Sequence, residues 1–203
     1  MKRAIIASIM LAGAMTAANP APRNADPDWP CQQIKVGELS VASFWNGPPI
    51  DPASVDWRKD EAVASLVGAV TQRRLPMDAA VERINAFAKT VAEDKGRTLG
   101  LVFAGVFDVL NREREKVVDG LDRFGKRQKT LADGLRQDGE AVRAALAANP
   151  PDEAKVADLT QKLTWDQQFF ESRRQSLRFA CDLPTTIEQR LYGLSQAIQA
   201  HLE

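Results

Sequence analysis

The stretch "FAGVFDVLNREREKVVDGLDRFGKRQKTLADGLRQDGEAV", residues 103–142, decides the fold. Apolar residues recur at Phe103, Val106 and Leu110, then at Val117, Leu121, Phe124, Leu131, Leu135 and Val142. From Leu110 the steps alternate four and three, passing through Arg114, Gln128 and Asp138, which hold seam positions without being apolar. That alternation is the seam of a coiled coil. No proline interrupts 97–148. One helix of about fifty residues is predicted, spanning roughly 75 Å at 1.5 Å per residue. Gly120, Gly125, Gly134 and Gly139 each weaken it by about 1 kcal/mol relative to alanine. Such a helix needs a partner.

The partner follows directly. "ANPPDEAK", residues 148–155, ends the first helix, because Pro150 and Pro151 cannot extend its hydrogen-bond ladder. A second seam then runs through Val156, Leu159, Leu163, Phe170, Leu177 and Ala180, with Asp166 and Arg173 in the intervening slots. The same steps continue through Pro184 to Ile187, Leu191, Leu194 and Ile198. The phase survives the proline, so "CDLPTT" (181–186) reads as a kink or short break within one path. Two long helices joined by a tight loop run antiparallel. A turn near residue 150 then pairs positions whose numbers total about 300.

Upstream, Val63, Leu66, Val67 and Val70 follow helical spacing within a helix predicted over about 55–73. Pro76 suits the first turn of another helix, with Asp78 beside its positive end. Its buried stripe is Met77, Val81, Ile84, Ala88 and Val91, and Gly96 closes it. This short hairpin, 56–95, is the natural cover for "TLGLVFAGVFDVL" (98–110) and "TTIEQRLYGLSQAI" (185–198), whose apolar surface is too broad for a two-helix seam. The expected fold is all-α: a four-helix base, a coiled-coil arm projecting from it, and a proline-rich extended segment over 19–55. The long hairpin occupies 97–203 with its tip near 148–152.

The first residues, "MKRAIIASIMLAGAMTAANP", have the form of a signal peptide: a basic start, an apolar run from Ala4 to Met15, then small residues. Residues 1–18 are assigned to it, with cleavage near Ala18, which places the mature chain in a periplasm or outside the cell. No later segment has the eighteen uninterrupted apolar residues of a membrane helix. In an exported chain two cysteines pair. Cys31 and Cys181 are therefore expected to form a disulfide that pins the N-terminal segment to the hairpin. Their separation excludes a CxxC redox centre or a zinc knuckle.

Composition narrows the chemistry. Lys+Arg and Asp+Glu each number 27, so the basic excess that general nucleic-acid binding requires is missing. The single histidine, His201, reads as a frayed surface position, and Met77 is the sole methionine after the leader. Haem, copper and Ser-His-Asp chemistry need residues this chain mostly lacks. No metal or cofactor is expected. "DVLNREREKVVDG" (108–120) reads as a solvated, salt-bridged helix face.

Charge along the arm is more informative. The paired windows 120–130 and 170–180 hold Arg123, Lys126, Arg127, Lys129, Arg173, Arg174 and Arg178 against Asp122 and Glu171, a net of +5. The tip, 133–166, carries four basic and seven acidic residues, a net of −3. Such a belt docks an acidic partner or the tip of a second copy; the alternative is that long helices scatter charge. Trp45, in the turn-rich "SFWNGPPIDP" (43–52), is either a plug over the core or a recognition residue. The function expected is that of a non-enzymatic exported scaffold, adaptor or accessory subunit acting through a protein partner or self-association. A projecting coiled-coil hairpin is similar in shape to the arms of the periplasmic Skp-like chaperones, which implies a holdase as the alternative. No motif carries that likeness, and the neutral charge departs from that family's basic character. A small-ligand binder with Trp45 and Trp57 over a pocket in the base is the third reading.

Overall fold

The computed structural model describes residues 26–202, so the leader assigned to 1–18 and the start of the extended segment lie outside the described residues. Four α-helices follow one another with no strand among the described residues: α1 Glu61–Val70, α2 Met77–Thr90, α3 Lys95–Ala147 and α4 Glu153–Gln199. Two 3₁₀ turns, Val41–Ser43 and Trp57–Lys59, precede them. α3 and α4 pack against each other as one long hairpin, and α1 and α2 cover them at the base. The turn at the tip includes a cis Asn149–Pro150 bond, and the Asp152 side chain caps α4 by accepting from the Lys155 backbone N–H.

The register is the one the seam demands. Lys162 Nζ donates to Asp138 across the arm, Gln128 Nε2 donates to the Phe170 carbonyl, and Arg114 Nε donates to Glu188. Each pair totals close to 300. The seam positions named from the sequence on α4 are buried or half-buried throughout, whereas the residues between them are mostly exposed.

The base holds the core. Leu99, Phe103, Val106 and Leu110 of α3 meet Ile187, Leu191, Leu194 and Ile198 of α4, closed by Val63, Val67 and Val70 of α1 and Ile84 of α2. All of these are at most 2% exposed. Gly105 lets α1 come close, because a Cβ there would lie 2.7 Å from Val67 and 2.9 Å from Trp57. Arg190 of α4 reaches across to the end of α1. Its guanidinium donates to the Val70 carbonyl at 2.7 Å, which the end of α1 leaves open, and to the Leu75 carbonyl of the following loop at 3.0 Å. Burial lowers its pKa from the usual arginine value.

Four expectations need correction. α1 begins at Glu61, because the Asp60 side chain accepts from the N–H groups of Ala62 and Val63, and a 3₁₀ turn occupies the residues before it. α2 stops at Thr90, and Gly96 does not close it; Asp94 takes the left-handed conformation at φ 47° and Gly96 lies inside the first turn of α3. Of the kink or short break expected at Pro184, the break is absent, since α4 runs through it as the single path expected. A proline in a helix interior costs about 3 kcal/mol, but each of the four buried aliphatics that follow contributes about 1.5–3 kcal/mol, so packing carries the helix through. His201 is not frayed: a ring nitrogen meets Asn85 Oδ1 at 2.8 Å.

Candidate protein-contact surface on the arm

The two sides of the arm differ. One is covered by residues 26–37, an extended strap. Cys31 is bonded to Cys181 of α4 with Cα atoms 5.6 Å apart. Lys35 bridges Asp26 at 2.8 Å and Asp122 of α3 at 2.7 Å, and Lys129 of α3 binds Asp28 at 2.8 Å. Arg114, only 2% exposed, donates to the Val36 and Gly37 carbonyls at 2.8 and 3.1 Å while pairing with Glu188. The Asp28 backbone lies against Gly125, where no side chain intervenes. The hydrogen bond to Asp122, followed by that to Asp26, holds the Lys35 pKa above the usual lysine value; the bond to Asp28 does the same for Lys129.

The opposite side is open and grooved. Nearer the base, Val117, Gly120 and Phe124 of α3 and Ser176, Ala180 and Leu183 of α4 line a shallow apolar groove of about 260 Å³. Nearer the tip, Leu131, Gly134, Phe169 and Arg173 border a second of about 450 Å³, with Asp138, Lys162 and Asp166 at its far end. Both grooves lie on one continuous row of positions beside the seam. Large aromatics stand out along this side of α4: Trp165 is 64% exposed, Phe169 50% and Phe179 81%. Exposed apolar side chains of this size make this side of the arm the candidate contact surface. The Arg173 guanidinium sits over the Phe169 ring at 4.5 Å from its centroid. Lys162 lies between Asp138 and Asp166, and its hydrogen bond lowers the Asp166 pKa.

The basic belt does not form one surface. Arg123, Arg127 and Arg173 belong to the open side by their places on the heptad. Lys129 is held by the strap, and Arg174 makes a two-bond fork with Glu171 at 2.8 and 2.9 Å. Arg178 shares the strap side with Cys181, and Lys126 points away from the seam, near enough to Asp26 to help lower that carboxyl's pKa. Trp45 leaves the contact surface altogether. It is 6% exposed, stacks on Phe103 at 4.4 Å and donates its indole N–H to the Pro48 carbonyl. Trp57 is likewise buried, donating to Asp108. Both tryptophans are core.

The aromatic row of α4 escapes a reading that follows the seam alone. Its signal is in the sequence: Trp165, Phe169 and Phe179 fall at flank positions of the heptad, where a two-helix arm exposes side chains. Among the described residues no helix is long and apolar enough to cross a membrane. Compared with family models, curated proteins and solved structures, the chain matches none.

Proposed function

We propose that this is an exported, non-enzymatic helical protein that acts through protein–protein contact, as a scaffold, adaptor or accessory subunit, by the open side of its arm. The observation that carries the reading is the row Trp165, Phe169 and Phe179, left in solvent on an arm helix whose other outward residues are mostly polar or charged. Rigidity supports it. The strap, the disulfide and Arg114 fasten the opposite side, so the open side is presented without much ordering cost on binding. Export is supported by the leader-like start of the sequence and by the bonded cysteine pair, which suits an oxidising compartment.

A photo-reactive amino acid placed at Phe179 in cells tests this. Protein adducts should form from position 179 and not from Lys89, an exposed residue of α2 at the base. Adducts from Lys89 and none from the arm would sink the reading.

A further inference from the structure

The open side has a natural centre. It runs from Val117 and Leu183, where the base begins, to the tip at residue 150, so its midpoint falls at Gly134 on α3 and beside Asp166 on α4. Gly134, unlike Gly139, lines the open groove. A Cβ added to Gly134 would meet nothing within 4 Å, so the fold of one chain gives no steric reason for glycine. Alanine would favour the helix by about 1 kcal/mol. A site of backbone approach by a second molecule would account for it.

Resting on the reading above, we propose that the occupant of the open side is a second copy of this chain, arm against arm and antiparallel. The two-fold axis lies across the arms at Gly134. A two-fold at that level sets Trp165 of each copy against Phe169 of the other, so the exposed aromatics cover one another. It also lays each tip along the partner's groove nearer the base. Charge agrees with this pairing. Arg127 of one arm comes within one helical turn of Asp138 of the other, and the two-fold repeats that approach at the opposite end. The footprint suffices: some 33 residues at 1.5 Å and two helices of about 10 Å width give on the order of 1,000 Å² per copy, above the roughly 800 Å² of a stable interface.

The test uses the purified mature protein with its disulfide intact. Sedimentation equilibrium up to about 200 µM should show a dimer, with an affinity in the micromolar range or tighter. Gly134→Arg puts a side chain into open space within the chain but on the axis between copies. It should leave helical signal and unfolding midpoint intact and weaken dimerisation at least tenfold. Mixing Trp165→Cys with Phe169→Cys protein should give a cross-linked dimer that neither gives alone. A wild-type monomer at the top concentration, or a dimer indifferent to Gly134→Arg, overturns the proposal. If such a monomer still forms adducts from Phe179 in cells, the protein-contact reading stands and the partner is another protein.

Discussion

The backbone carbonyl of Asp28 lies directly over Gly125 of α3, where an added Cβ would collide with it. Three residues on, Cys31 is bonded to Cys181, so the strap cannot simply lift away. In an ordinary exposed helix Gly→Ala gains about 1 kcal/mol. Here the sign should reverse, with Gly125→Ala costing about 1–3 kcal/mol as overpacking does. Gly139→Ala, whose Cβ meets nothing within 4 Å, should stabilise by up to about 1 kcal/mol. Urea unfolding of the two variants decides it: if both stabilise alike, the strap does not lie where described.

Arg114 is the polar residue that the seam hides. Arg114→Met removes the donor to two strap carbonyls and leaves Glu188 without its partner. Because the Glu188 side chain is 31% exposed, water recovers part of the loss. A cost of about 2–4 kcal/mol is expected. Arg114→Lys should recover little of it, since an ammonium cannot reach both carbonyls and the carboxylate in one planar fork. Unfolding free energies within about 0.5 kcal/mol of wild type for either variant would contradict the arrangement.

The long hairpin was legible because its signal is periodic. Four-three spacing marked Arg114, Gln128 and Asp138 as seam positions even though none is apolar, and the turn prolines set the register that Lys162–Asp138 and Gln128–Phe170 now display. Local signals are weaker. Asp60 is an N-cap, but the periodic valines after Val55 masked where the helix starts. Pro184 carries a strong local preference that packing of Ile187 and Leu191 overrides. The strap's path was illegible beyond its cysteine, because its other anchors are backbone carbonyls, which leave no mark on sequence. The same is true of the belt's division between two sides, which depends on where the strap lies.

Reduction tests the staple. The mature protein should show no reactive thiol until it is unfolded with reductant, because Cys31 and Cys181 are bonded. Closing a loop of 150 residues is worth on the order of 5 kcal/mol in the chain-entropy model, and less where the unfolded chain retains structure. Reduced protein should therefore melt lower but keep most of its helical circular dichroism, since the α3–α4 seam does not depend on the bond. Two thiols titrating in native protein would exclude the staple.

Acid should loosen the strap before the base. The hydrogen bond from Lys35, followed by the Asp28 backbone N–H, holds the Asp26 pKa below the usual carboxylate value. A carboxyl lowered on folding contributes its full stabilisation above the unfolded value of about 3.9 and loses it as pH falls through the folded value. The Trp29 indole N–H, which donates to the Gln33 carbonyl at 2.8 Å, reports on the strap. Its NMR signal should move only below about pH 4, while that of Trp45, bonded to Pro48 in the core, stays in place. Movement that is complete above about pH 5 would assign the strap's acid response to another group.

The central claim is that the aromatic row serves contact between molecules and not the stability of one. The most direct test is the yield of cross-linked adducts in cells from a Trp165→Ser, Phe169→Ser, Phe179→Ser triple variant with the photo-reactive group at Arg127, on the same side of the arm. The account predicts at least a tenfold loss of adduct relative to the unsubstituted row. The variant's unfolding free energy should stay within about 1 kcal/mol of wild type, because exposed side chains contribute little to folding. Undiminished adduct yield, or a row whose removal unfolds the arm, would contradict it.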